Sequence, residues 1–296
     1  MMIRLMIGIA VLSAAMDSPA QDSSAPARLL SRRYRDGERL SYLMKGRNND
    51  WTYQVRLTAV VKWRPDGQFV EEYAWADFIS NGVPEPLTPA SREFRQTVTL
   101  AGGLPFTFPD LSKVQPALIG PVTDLLTFYS DLFLAIHAGQ LREPGDRFFV
   151  ANPTVASWAD GTRVLIGEDS IDFDLHLTGI DKSRGVAMLL VKHVPPKAPK
   201  IRIPAEWMRE PVAGVPNNWV QVRKEAGAYI GRVGKETFDV ELTIRLSSGE
   251  ILSATMDNRV EAVARECADL KLSDCGAPRP HPTVRRIEMS LTNSEL

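Results

Sequence analysis

Cysteine and histidine are scarce in this chain, and each scarcity narrows the chemistry open to it. The 296 residues include two cysteines and four histidines. So few histidines leave little room for a metal site or for general-base catalysis. The sequence also lacks a Gly-x-Ser-x-Gly elbow, a His-Glu-x-x-His zinc helix and a phosphate-binding P-loop. We therefore predict neither a catalytic residue nor a cofactor.

An excess of charge of either sign is missing as well. The chain has 35 Lys and Arg against 36 Asp and Glu, for a formal net charge of -1. Nucleic-acid binding normally needs a basic excess or stripe, so no nucleic-acid partner is predicted. The apolar fraction of 44% is that of an ordinary globular protein with a buried core.

The first 20 residues have the pattern of a secretory signal peptide. Arg4 precedes an uncharged apolar run over residues 5–16, and residues 18–20 place small side chains before a cut ahead of Gln21. The run is shorter than the roughly 20 apolar residues that cross a bilayer, and no transmembrane segment is predicted in the mature chain. We expect an exported protein, periplasmic or secreted, with a flexible lead-in over residues 21–33.

Export also bears on the redox state of the two cysteines. Cys267 and Cys275 lie eight positions apart, and an isolated pair this close in an oxidising compartment predicts a local disulfide.

Alternation of apolar and polar residues is the clearest pattern in the chain. Over residues 51–63 the odd positions are apolar, which predicts a long strand with one buried face in an antiparallel sheet. Residues 64–67 form a turn with Pro and Asp-Gly, and a second strand follows over residues 68–79. The same pattern recurs in the four segments 171–178, 186–194, 238–246 and 250–263, and again near 283–291.

One segment has helical spacing instead. Leu125, Tyr129, Leu132 and Ile136 repeat every three to four residues, with Thr123 as a candidate N-cap. This predicts one principal amphipathic helix at about 123–138. The fold class predicted is mainly β, a long antiparallel curved sheet or incomplete barrel built as a meander, with that helix packed on it.

The domain organisation predicted is a single β-rich domain over residues 34–296. Residues 195–216 contain six prolines, which excludes a regular helix or a central strand there. We interpret this segment as a surface crossover within the domain, and an interdomain linker or a flap over a binding site are the alternatives.

Aromatic side chains on the first two long strands form the first candidate site. Those that share a face on each strand are Trp51, Tyr53, Trp63, Phe69, Tyr73 and Trp75. They could line the concave side of the sheet and hold an acyl chain, a lipid or another apolar ligand. The alternative is that they are sheet core beneath the helix.

Three polar residues form a weaker candidate. Asp172, Asp174 and His176 share one strand face at about 6.6 Å spacing and have the atoms to bind a metal. They also form the solvent face opposite an apolar one, so no metal is predicted. His193, in the facing strand, could complete such a site, but its neighbours are typical of core.

Two short motifs point to a family. Residues 37–42 read Gly-Glu-x-Leu-x-Tyr, and Asp124-Leu125-Leu126 with Tyr129 leads to Pro144-Gly145-Asp146. Over residues 34–194 the chain resembles uncharacterised exported β-rich proteins of Gram-negative bacteria with lipoprotein-carrier-like curved sheets. The resemblance implies a curved sheet with a helix against it and a periplasmic location, and it assigns no functional residue.

Three functions follow as hypotheses. The first is a non-enzymatic periplasmic protein that binds an apolar small molecule, a lipid or an acyl-bearing partner in the concave face of the sheet. The second is an envelope scaffold that interacts with other envelope proteins. The third is a metal-dependent hydrolase that uses Asp172, Asp174 and His176.

Overall fold

The computed structural model describes residues 29–100, 109–152, 154–159 and 164–295. The predicted signal peptide, residues 1–20, lies outside these ranges, as does the lead-in up to residue 28.

Within the described ranges, fifteen strands form one antiparallel sheet. Those that precede the proline-rich segment are β1 (Arg39–Asn48), β2 (Trp51–Trp63), β3 (Phe69–Ser80), β4 (Val83–Pro84), β5 (Gln96–Val98), β6 (Arg147–Val150), β7 (Ala156–Ser157), β8 (Val164–Asp169), β9 (Asp172–Asp181) and β10 (Val186–Val194). Those that follow it are β11 (Trp219–Glu225), β12 (Ala228–Arg245), β13 (Ile251–Cys267), β14 (Arg279–Pro280) and β15 (Thr283–Glu295).

In the part of the chain that the structure describes, two α-helices and two 3-10 turns accompany the sheet. The helices are α1 (Pro89–Glu93) and α2 (Pro116–Ala138), and the 3-10 turns are Leu111–Lys113 and Glu206–Arg209. The prediction of a mainly β fold with one principal helix is confirmed.

The sheet is open and branched. Its main path runs β4-β3-β2-β1-β15-β13-β12-β10-β9-β6, and its two end strands do not pair, so the sheet is not closed into a barrel. A branch of β11, β8 and β7 attaches to the first half of β12. The main path of the sheet therefore contains the predicted hairpins. The branch was not predicted from the sequence.

Strand β2 has the bounds and the buried face that its alternation predicts. Tyr53, Val55 and Leu57 are buried, and the polar residues between them face outward. Gly67 adopts a φ of 82° in the following turn, a backbone conformation that glycine adopts without strain. At roughly 3.3 Å per residue, the 13 residues of β2 span about 43 Å.

Helix α2 is longer than predicted. It begins at Pro116 rather than at residue 123, because proline suits the first helical position, where its missing N–H has no partner to lose. Pro121 lies inside the helix and removes one backbone hydrogen bond without ending it. Thr123 is therefore not an N-cap, and its hydroxyl donates to the Gly120 carbonyl at 2.8 Å. Gly139 ends the helix in the left-handed conformation, as expected.

The composition of α2 bears on membrane association. Among the helices that the structure describes, α2 alone is long and apolar enough to cross a membrane by length and composition. Within the domain, 61% of its most apolar window is buried. The absence of a transmembrane segment from the mature chain stays a prediction.

Strand β12 changes the face that it buries. In its second half Val240, Leu242 and Ile244 enter the main hydrophobic core with α2. In its first half Val233, from the opposite face, enters a smaller core with Met208 and Leu272. The two cores thus lie on opposite sides of one continuous sheet.

The proline-rich segment covers the smaller core. Met208, in its 3-10 turn, is fully buried, and the Asn217 side chain donates to the carbonyl oxygens of Met208 and Glu210. The Cys267–Cys275 disulfide adjoins the same core, and the predicted pairing is confirmed.

The last residues of the predicted flexible lead-in are packed into the domain. Leu30 is buried in the main core, and the Arg32 guanidinium lies 2.7 Å from Glu38 and 2.9 Å from Glu71. Residues 29–33 are therefore held by packing and ion pairs, unlike the flexible segment that the sequence predicts. The two carboxylates offset the desolvation of the buried Arg32 guanidinium.

Candidate functional site

Helix α2 lies on one face of the sheet, which we call the inner face. Its neighbouring strands contribute apolar residues to it, among them Leu175, Val191, Val240, Met256, Ile287, Met44, Val55 and Tyr73. From the helix side, Leu125, Phe128 and Leu132 are fully buried against this face. The result is a broad apolar surface covered by a single helix.

Ionisable side chains of α2 nevertheless attach it to the inner face at three points in the described part of the chain, and Gln96 of β5 also donates to the Val122 carbonyl oxygen at 3.0 Å. The first involves Tyr129, whose hydroxyl donates to Glu71 Oε2 on β3. The Tyr73 hydroxyl donates to the same oxygen at 2.8 Å, and Arg32 binds the other oxygen of Glu71. Burial and the Glu71 charge raise the pKa of both phenols well above 10, so both remain protonated donors.

The second point is Asp124, near the middle of α2. Its Oδ2 accepts a hydrogen bond of 3.0 Å from the Tyr53 hydroxyl, and its Oδ1 pairs with Arg285 on β15. Asp124 is 3% exposed, and burial raises the pKa of its carboxyl although Arg285 opposes that rise. The carboxyl therefore lies in a site that is costly for its charged form.

The third point is a buried Asp–His pair. His193 Nε2 on β10 lies 2.8 Å from Asp131 Oδ2 on α2. The imidazole stacks on Phe238 with ring centroids 3.6 Å apart and meets Phe173 edge-on. Burial raises the pKa of Asp131, with His193 opposing, and Asp131 Oδ1 has no hydrogen-bond partner among the described residues. The third contact is thus incompletely satisfied.

A pair of carboxylates lies on the inner face beyond α2. Glu236 Oε1 accepts a 2.9 Å hydrogen bond from Asn258 Nδ2, and Glu236 is 8% exposed. Burial raises the pKa of Glu236. Burial, and then the charge of Glu236, raise the pKa of Asp169 well above its usual range.

Sequence reasoning missed these polar contacts, although part of the signal was present. Asp124 and Asp131 lie seven positions apart, which puts them on one helical face, and that face is otherwise apolar. Glu71 shares its strand parity with Tyr73 and Trp75, so it had to point inward. The contacts that join these residues across helix and sheet (Glu71 with Tyr129, Asp124 with Tyr53, Asp131 with His193) span more than 55 residues of chain, and a contact over that distance has no local signal.

The six predicted aromatic residues separate into two groups. Tyr53, Tyr73 and Trp75 are buried in the main core, with Trp51 packed against it. Trp63 is 55% exposed and packs edge-on against Phe69, with centroids 4.7 Å apart, outside that core. Four of the six residues therefore belong to the main core or pack on it, and two lie beyond it.

Two of the candidate metal residues, Asp174 and His176, contact each other, whereas Asp172 is engaged elsewhere. Asp172 Oδ1 accepts the Asn152 backbone N–H at 2.9 Å. Asp174 lies 2.8 Å from Arg147 and 2.9 Å from His176. His193 is not beside them, because its ring turns to the inner face and Asp131. Over the described ranges, no group of three His, Cys, Asp or Glu side chains is placed to hold a metal ion.

The chain matches no protein family, no curated protein and no solved structure. The resemblance to exported lipoprotein-carrier-like proteins thus depends on its two short motifs alone.

Proposed function

We propose that this protein is a non-enzymatic envelope protein that binds an apolar ligand, or the acyl chain of a partner, on the inner face of its sheet. Helix α2 is the displaceable cover of that face. The ligand takes the place of the helix against the apolar residues of the inner face. Export to the periplasm or beyond is part of the proposal, and the disulfide supports it because such bonds persist in oxidising compartments.

One observation carries the proposal. An apolar helix on an apolar sheet could be held by apolar contacts alone, yet three buried ionisable groups of the sheet and helix, Glu71, Asp124 and Asp131, are used to attach it. A buried ion pair often contributes less stability than apolar side chains of the same volume, and it is retained in some proteins for register or switching. Such attachments fix one position of α2 without making it the strongest position available.

The composition of α2 gives a second support. Its length and apolar composition suit contact with a lipid phase. A helix of that composition loses little when it moves from a protein core to another apolar surface, because both environments exclude water.

An envelope scaffold is the second candidate, and a different observation favours it. Tyr73 and Trp75 are 0% and 3% exposed, so the inner face is filled in this conformation. A filled core that never opens leaves only the outer surface for partners.

Acyl binding separates the two candidates. The mature protein is incubated with dodecanoic acid and analysed by native mass spectrometry. The double substitution Asp131→Leu with His193→Phe replaces the third polar contact by apolar packing and is expected to hold α2 closed. We expect wild type to retain dodecanoate and the double variant to bind it at least tenfold more weakly.

A matched control uses the facing charges on the outer side of the same strands. Lys192 on β10 pairs with Asp239 on β12, and Lys192→Gln with Asp239→Asn leaves the inner face unchanged. This control should bind like wild type. Wild type without retained dodecanoate, or equal binding by the closed variant, would contradict the proposal and favour the scaffold.

A further inference from the structure

The inner face continues past the end of the region that α2 covers. Along β12 the residues Arg232, Gly234, Glu236 and Phe238 share the parity of Val240. Strand pairing sets Gly234 opposite Trp219 on β11, and Arg232 opposite Gln221. We call this continuation the distal face, and its principal residues are Trp158, Trp219, Gln221, Arg223, Arg232, Arg279 and His281.

The part of the distal face nearest α2 is apolar and aromatic. Trp219 packs against Val260 and Ala262 of β13, with Trp158 beside them. The Trp158 ring lies directly on Gly167 of β8, where a Cβ atom would come within 2.3 Å of the ring. Glycine at 167 is therefore what allows the indole to lie flat on the strand.

The next part is basic. The Arg232 guanidinium donates to Gln221 Oε1 at 2.9 Å and lies 3.3 Å from Glu225 Oε1. Arg223 lies 3.3 Å from that same oxygen. Two guanidinium groups thus converge on one carboxylate oxygen, and each of them has a buried Nε donor without a partner in the described part of the chain.

A third arginine stands on the same row. Arg279 pairs with Ala264, and Ala264 pairs with Arg232 on its other side, so the two arginines are roughly 10 Å apart on one face. His281, whose backbone N–H donates to Ala262, follows it. Burial, and then the charge of Arg232, lower the pKa of His281, which places both groups within electrostatic reach.

The acidic residues leave part of the arginine hydrogen-bonding capacity on this face unused. Arg223 and Arg232 share the single carboxylate of Glu225, and the Nε donors of both lack a partner in the described part of the chain. Glu266 pairs opposite Ile230 at the outer end, and Asp169 and Glu236 lie at the end nearest α2. Guanidinium groups match the oxygens of carboxylates and phosphates in a bidentate manner, and unpartnered buried donors are costly. An anion with two or three oxygens would satisfy the donors that Glu225 leaves free.

We propose that the distal face is a binding site for an anionic group, a phosphate or a carboxylate, held by Arg223 and Arg232 beside the Trp158–Trp219 surface. The anion is either the headgroup of an amphiphile, whose apolar part lies against the half-buried Trp158 indole, or a free phosphate. The site uses no residue of α2, so it goes beyond the function proposed above and stands or fails separately.

Calorimetric titration of the mature protein tests this with three probes: hexyl phosphate, inorganic phosphate and hexanol. We expect hexyl phosphate to bind and hexanol not to bind. Tighter binding of hexyl phosphate than of inorganic phosphate assigns the site to an amphiphile headgroup, and equal binding assigns it to the free anion. No binding of either phosphate at millimolar concentration would overturn the site.

Substitutions locate the binding. Arg223→Gln and Arg232→Gln should each weaken hexyl phosphate binding about tenfold or more, because each removes a charge-assisted hydrogen-bond partner. Lys224→Gln removes the same charge from the opposite face of β11 and should leave binding unchanged. Arg223 is partly exposed, at 31% of its side chain, so its variant decides the matter if the Arg232 variant does not fold. Equal affinities for wild type and both arginine variants, or an equal loss in Lys224→Gln, would reject the assignment.

Discussion

The two halves of β12 bury opposite faces of the strand. Residues 238–245 bury their even positions beneath α2, whereas residues 228–234 bury Val233 from the odd positions beneath the proline-rich crossover. The even positions of that first half, including Arg232, form the distal face instead. A single continuous strand thus contributes to two cores on opposite faces of the sheet. The element that covers each half, α2 or the proline-rich crossover, decides which face of that half is buried.

Charge is distributed differently over the two halves. On the inner face the ionisable groups are paired, as Arg32 is with Glu38 and Glu71, although Asp131 Oδ1 has no partner among the described residues. On the distal face Arg223 and Arg232 share one carboxylate and remain partly exposed. Buried, paired charges fix the position of a helix, whereas guanidinium donors without a partner, as on the distal face, are available to a ligand.

The largest expected loss of stability comes from removing one of the paired charges beneath α2. Glu71→Ala removes the acceptor of Tyr73 and Tyr129 and one partner of Arg32, all buried. Because it leaves an incompletely compensated charge in the core, we expect the free energy of unfolding to fall by about 3–5 kcal/mol in urea titrations.

The neighbouring residue is the control. Glu72 points to the outer face and pairs with Lys62, where the two side chains are 31% and 50% exposed. Glu72→Ala should cost about 0–1 kcal/mol, as exposed ion pairs do. Similar losses for the two alanine variants would show that the network beneath α2 is not a matched buried cluster.

The second prediction separates the two cores. Replacing both Cys267 and Cys275 by serine opens the loop beside the smaller core. The chain-entropy model gives a loss of about 2–3 kcal/mol for so short a loop. Hydrogen exchange should become faster in β11 and the first half of β12, while α2 keeps its protection. Faster exchange throughout α2 would mean that the two cores open as one unit.

The third prediction concerns pH and the carboxylates at the junction of the two halves. Burial raises the pKa of Glu236 above its usual 4.5, so the folded state binds this proton more tightly than the unfolded state does. Its contribution to stability is then present below pH 4.5 and is lost as the pH rises through the folded pKa. Glu236→Gln keeps a neutral group at all pH values and retains an acceptor for Asn258.

The variant should therefore gain stability over wild type between pH 4 and pH 8, by about 1.4 kcal/mol for each unit by which the pKa is raised. Urea unfolding across that range measures the difference. Glu241→Gln, exposed on the same strand, should stay within about 0.5 kcal/mol of wild type. A Glu236→Gln difference that does not grow with pH would place the carboxyl in a solvated environment.

Local patterns predicted much of this fold. The bounds of β2, the disulfide and the mainly antiparallel sheet followed from alternation and spacing, because these depend on near neighbours in the chain. The start of α2 did not, since proline at residue 121 is a helix breaker by local rules and the packing of Leu118 and Val122 overrides it.

The candidate site was predictable only in part. The aromatic face of β2 and β3 indicated where the core lies, yet Glu71, Asp124 and Asp131 gain their meaning from partners on distant strands. The branch of β11 and β8 went unrecognised for a related reason: the odd positions of residues 228–234 become the buried set only because the crossover covers them.

The most direct test of the central claim is hydrogen exchange of α2, residues 116–138, with and without dodecanoic acid. If α2 is a displaceable cover, its amides should lose protection when the acyl chain is bound, while residues 238–245 of β12 remain protected. Unchanged protection of α2 at saturating dodecanoic acid, with no acyl chain retained by the protein, would contradict the account.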